Sequence, residues 1–119
     1  MIDLQQTSAA QILEIRLTGT LVADDYARIA PDIERRIREV GKLRLLVIMH
    51  DFHGWSAGAL WEDLKFDVRH FADIDRLALV GETKWQEGMS VFCRPFTTAS
   101  VRFFHPTEID QARAWLEAP

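Results

Sequence analysis

At 119 residues, with 48% apolar and 27% charged side chains, the chain has the size and composition of one globular domain that buries about two thirds of its unfolded surface around a single core. Its net charge of −4 arises from interspersed acidic and basic residues. That pattern argues against nucleic acid as the main partner, because a phosphate-binding surface needs a clustered basic face. The lone Cys93 excludes an internal disulfide framework and fits a reducing, cytoplasmic setting. MIDLQQTSAAQ lacks the basic region and long apolar run of a secretory signal, and nothing approaches the about 20 apolar residues of a membrane span. Peripheral membrane attachment stays open.

Met1 to Leu4 reads as a short strand, and Ile12 to Thr18 as its partner, because Leu13, Ile15 and Leu17 alternate with Glu14, Arg16 and Thr18. Gly19 is expected to close that strand. From Val22 onward, Tyr26, Ile29, Ala30, Ile33, Ile37 and Val40 keep one helical face apolar. Asp24 and Asp25 suit the positive N-terminal end of that helix, and Gly41 its C-terminal stop. Pro31 predicts a kink or break near Ala30, since its ring clashes with the carbonyl four residues back. The arginines at 35, 36 and 38 alternate with Glu34 and Glu39, a solvated face that could also touch anionic lipid heads.

Leu43 to Met49 is apolar except for Arg44, the continuous pattern of a central strand covered on both faces. A short turn, DFHGW, is expected to follow. Ser56 suits the N-cap of a second helix, in which Ala57, Leu60, Trp61, Leu64, Val68 and Phe71 form the apolar stripe and Phe66 falls opposite it. Ile74 to Val80 reads as a strand ended by Gly81. Trp85, Met89, Phe92 and Phe96 then recur at helical spacing, in a segment weakened by Gly88 and limited by Pro95. Val101 to Phe104 is a short strand. Thr107 is expected to cap a last helix, with Ile109, Ala112, Trp115 and Leu116 toward the core. The order β-β-α-β-α-β-α-β-α predicts a single α/β domain with a mixed, largely parallel sheet and four helices.

Six segments in order give the chain a resemblance to the SpoIIAA-like family: DDY in the first helix, GKLRLLV entering the central strand, DFHGW after it, DLKFD in the second helix, RLALVGETKW across the fourth strand and QARAWL near the end. These small bacterial proteins are related to STAS domains and, more distantly, to the CRAL-TRIO lipid-binding fold. The resemblance implies a STAS-like fold whose second and third helices sit apart or together over an apolar groove. It implies no enzymatic activity and no cofactor. In the founding anti-sigma factor antagonist the switch is a phosphorylated serine at the start of the helix after the central strand, in an Asp-Ser-Ser-Gly context. This chain has DFHGWSAG there, so Ser56 stands near that position but outside the motif.

Two candidate sites follow. The first is an apolar ligand or lipid pocket between the second and third helices, with Trp55, Trp61, Leu64, Phe66, Trp85, Met89, Phe92 and Phe96 as its residues. An aromatic stripe at helical spacing also describes an ordinary core, but Phe66 lies off its own stripe and calls for a partner. The second is Ser56, an N-cap or else an anion or phosphorylation site at the positive end of its helix. No metal site is expected: His50 and Asp51 would point to opposite faces of a continuing strand, and no Cys or Glu completes a set with His53. Cys93 reads as a buried, inert thiol.

The leading expectation is a non-enzymatic STAS-like module that binds an apolar small molecule or lipid, with peripheral membrane contact. The alternative is a protein-protein interaction module of the anti-sigma factor antagonist type. Phe66 and an edge strand make a homodimer a further expectation.

Overall fold

Alternating apolar residues over Ile12–Leu21 place Leu13, Ile15 and Leu17 on one face, and this strand, β2, starts the sheet together with β1, Ile2–Gln6, which pairs antiparallel to it from Ile2 opposite Leu17 to Gln6 opposite Leu13. The computed structural model describes residues 1–6, 11–59, 62, 65, 73–82 and 100–119. In chain order these form β1, β2, helix α1 (Ala23–Val40), β3 (Leu43–Trp55), helix α2 (described at 57–59, 62 and 65), β4 (Ile74–Val80), β5 (Ser100–Phe104), a 3-10 turn (Pro106–Glu108) and helix α3 (Ile109–Glu117). The strands lie in the order β1-β2-β3-β4-β5, with every pair after the first parallel. The mixed, largely parallel sheet is therefore as expected, but the described residues carry three α-helices, not four. The remaining expected helix, Trp85 to Phe96, lies outside them.

Strand β3 is central, and its residues Leu43, Leu45, Leu46, Ile48 and Met49 are all buried. Odd and even positions serve opposite faces, as strand geometry requires. On one face Leu13, Ile15, Leu45, Met49, Leu79 and Val101 meet Tyr26, Ile29 and Ile33 of α1. On the other Leu46, Ile48, Ala78, Val80 and Phe104 meet Ala112 and Leu116 of α3.

Helix α1 starts where the Val22 N–H donates to Asp25 Oδ2 at 2.9 Å, and stops where the Gly41 N–H donates to Ile37 O at 2.8 Å. Gly41 has φ +82°, a backbone state that side chains with a Cβ resist. The helix is unbroken across Pro31, against the expected break. Pro31 and Ala27 both lie on its exposed side, so the carbonyl left without an amide donor is open to water. Two further expectations shift: β2 continues past Gly19 to Leu21, and β3 runs to Trp55 through the supposed turn.

The last helix is held by arginines from the sheet. Helix carbonyls in the final turn lack intrahelical donors. Arg44 of β3 supplies them, its Nη1 donating at 2.6 Å to both Leu116 O and Ala118 O while its Nε holds Asp75 Oδ2 at 3.1 Å. Arg76 of β4 adds Trp115 O and Ala118 O at 2.6 and 2.8 Å, with its guanidinium 5.6 Å from the Trp115 ring centre. In the 3-10 turn that leads into α3, the Glu108 side chain accepts from the His105 N–H at 2.9 Å, and α3 itself has no side-chain cap at the position expected of Thr107. Arg113 completes the docking with a 3.0 Å bond to the buried Glu14 of β2. None of the described helices is long and apolar enough to cross a membrane.

Replacing Arg44 by Met keeps the aliphatic stem but takes the donor from Leu116 O and the partner from Asp75, while Ala118 O keeps Arg76, and urea unfolding should show a loss of about 1–2 kcal/mol.

Candidate functional site

Beyond Ile48, which pairs with Val80, β3 leaves β4 behind and continues for seven residues against β2 alone. Its register slips twice on the way. Met49 to Phe52 spans three residues of β3 opposite Leu17 to Gly19, and Phe52 to Gly54 spans two opposite Gly19 to Thr20. Each slip inserts one extra residue, and such bulges bend and twist a strand. The backbone accommodates them at Asp51, with φ +48°, and at Gly54, with φ +110°. Aspartate is one of the few residues with a Cβ that tolerates the left-handed region, and glycine alone tolerates the second at little cost.

The result is a two-stranded ledge at the carboxyl end of the sheet, where ligands of parallel α/β folds usually sit. Phe52 is buried at 5% exposure and anchors it, while His50, Asp51, His53 and Thr20 are exposed. The left-handed residue cancels the normal alternation, so His50 and Asp51 do not point apart as expected for a regular strand. His50 Nε2 lies 3.4 Å from Asp51 Oδ2, and its Nδ1 lies 3.9 Å from Glu82 Oε1, two residues past the end of β4. Among the described residues no three His, Cys, Asp or Glu side chains converge as metal ligands.

Ser56 closes the ledge. Its N–H donates to Leu21 O at 2.8 Å, which continues the β2-β3 pairing by one bond, and its Oγ accepts from the Ala59 N–H at 3.1 Å, which caps α2. The start of α2 rests beside that of α1: a Cβ on Gly58 would stand 3.6 Å from Ala23 Cβ. Two helix N-termini and their partial positive charge therefore meet here, next to Val22, which is 47% exposed. Ser56 itself is half-buried.

Of the residues the sequence reading assigns to an apolar pocket, Trp55 ends β3, and Trp61, Leu64, Phe66, Trp85, Met89, Phe92 and Phe96 lie outside the described residues, as does Cys93. The reading misses Asp51 as a conformational pivot. The signal available was faint: the apolar Met49 and Phe52 are three apart, out of step with a period of two, and Gly54 follows.

The SpoIIAA-like family model matches residues 12–117. An uncharacterised protein with a SpoIIAA-like fold from Shewanella loihica PV-4 superposes with a TM-score of 0.80 at 24% identity, over 98% of this chain and 92% of that one. The anti-sigma factor antagonist SpoIIAA in its unphosphorylated form superposes with a TM-score of 0.66 at 12% identity, over 99% of this chain and all of the other. At these identities the likeness is one of fold. No protein of curated function matches the chain.

Ser56→Ala removes the cap and should cost about 1 kcal/mol in thermal or urea unfolding, whereas Ser56→Asp, an equally good cap, should unfold like the wild type. Asp51→Val, which forces a β-branched residue into the left-handed region, should cost about 1–2 kcal/mol.

Proposed function

The chain belongs to the SpoIIAA-like family, and we propose that it is a non-enzymatic regulatory module that docks a protein partner on the carboxyl end of β2 and β3, with Ser56 as the residue whose charge sets the affinity. The observation that carries this reading is the ledge. It projects past β4, exposes Val22, Thr20, Asp51 and His53, and ends at a serine that caps a helix. A phosphate on Ser56 Oγ would meet the converging N-termini of α1 and α2, where an anion is favoured, and would place negative charge in the middle of the docking surface. The similar anti-sigma factor antagonist, solved in its unphosphorylated form, supports a role in which a partner is released or admitted by that modification. A cytoplasmic setting fits this role.

A second reading keeps the apolar ligand or lipid pocket lined by Trp55, Trp61, Leu64, Phe66, Trp85, Met89, Phe92 and Phe96. Half-buried Leu77 and Phe103, on the α1 face of β4 and β5, support it as apolar surface on the sheet. Native mass spectrometry of protein purified from cells, with liposome flotation, separates the readings: a retained amphiphile or vesicle binding favours the pocket. The same spectra report whether a homodimer forms.

The docking role is tested with wild type, Ser56→Ala and Ser56→Asp as baits, followed by direct titration of the purified partner. Ser56→Asp should weaken binding by about tenfold or more through charge alone, while Ser56→Ala binds like the wild type. Equal affinity for all three overturns the role of Ser56, and a partner bound equally well after Val22→Asp overturns the surface.

A further inference from the structure

Strand β1 closes one side of the sheet and pairs with β2 alone. At its start Met1 and Thr18 exchange backbone bonds of 2.6 and 3.0 Å. In an antiparallel ladder such bonded pairs alternate with unbonded ones, so Asp3 and Gln5 turn their N–H and C=O groups toward Arg16 and Glu14, and Ile2, Leu4 and Gln6 turn theirs to the open edge. Of these groups, Ile2 O is held by Arg28 Nη2 at 2.7 Å. The Leu4 N–H and C=O have no partner among the described residues, and the Leu4 side chain is half-buried. Unmade backbone bonds along an edge are a template for another strand.

Helix α1 decides which strand fits. Arg28 reaches Ile2, while Asp32, Arg35 and Glu39 line one recess with Leu4, so the helix runs parallel to β1 along this edge. Its flank interleaves bases and acids. A strongly acidic or strongly basic segment meets repulsion as well as attraction there, whereas a twofold axis sets the flank against its own copy in the reverse direction, where opposite charges face one another. The bond from Arg28 also selects the register. An axis through Leu4 would aim the Gln6 N–H of one copy at the Ile2 O that Arg28 already holds. An axis through Gln5 pairs each Leu4 with Gln6 of the other copy and leaves Ile2 O undisturbed.

We propose that a second copy of this chain docks on the edge of β1, the two strands antiparallel about a twofold axis through Gln5, with Leu4 of each copy exchanging N–H···O=C bonds with Gln6 of the other, so that the two sheets become one. This surface stands independently of the role of Ser56, and its test needs no partner protein. Sedimentation velocity of the full chain from micromolar to millimolar concentration should show reversible dimerisation. Gln6→Pro removes an N–H that the β1-β2 ladder does not use, and should weaken the dimer by about tenfold or more. Gln5→Cys in a Cys93→Ser background should cross-link as a disulfide dimer on mild oxidation, because the Cα atoms of a facing unbonded pair stand about 4.5 Å apart, within disulfide reach. Asp3→Cys, whose copy lies out of reach along the strand in that register, should cross-link far less, and this comparison decides the matter if Gln6→Pro fails to fold. A monomer at every concentration, a dimer of unchanged affinity in Gln6→Pro, or equal cross-linking of the two cysteine variants overturns the proposal.

Discussion

A strand paired on both edges spends its backbone donors and acceptors within the sheet and must give both faces to apolar cover. Strand β3 meets that constraint from Leu43 to Ile48, between β2 and β4 and between the clusters under α1 and α3. The remaining architecture follows from it. Arg44, the one charged residue in the stretch, lies near the start of the covered strand, and its half-buried guanidinium is turned to the last carbonyls of α3 and to Asp75. Once β4 ends, the constraint lifts on one edge. There β3 bulges, turns polar and offers the ledge around Asp51 and Ser56.

Helix α1 extends for 18 residues, roughly 27 Å, from the ledge to its stop at Gly41. Its first turn lies beside the start of α2, and Arg28 Nη2 ties its middle to Ile2 O of the edge strand at 2.7 Å. The N-terminal end carries the positive pole and meets the capping serine. The C-terminal half carries the arginines, where cations complement the negative pole.

How much of this could be read from the sequence depended on whether a residue's role is local. Leu43 to Met49 announces a doubly covered strand because burial on both faces leaves no polar alternation, and Gly41 and Ser56 announce helix ends through their own backbone and side-chain chemistry. The double bulge stayed hidden because inserted residues destroy the very period by which a strand is recognised: Met49 and Phe52 are both buried yet three apart. Pro31 misled because its cost depends on whether the orphaned carbonyl faces water, which is a tertiary fact. Nor does any local pattern reveal that Arg44 and Arg76 reach across about 40 to 70 residues of chain to hold one helix end. For the aromatic positions from Trp61 to Phe96 the sequence remains the source of the reading.

The left-handed backbone at Asp51 also narrows what evolution can write there. A chain that retains both slips of β3 needs Gly, Asn or Asp at the first pivot and Gly at the second, three positions later, because other side chains meet a steric penalty at each. An apolar strand followed by that pair, and then by a Ser, Thr, Asp or Asn two residues on to cap the next helix, is a pattern of backbone necessity and not of ancestry alone. It offers a means of sorting distant sequences of this fold into those that build the ledge and those whose central strand ends with its neighbours.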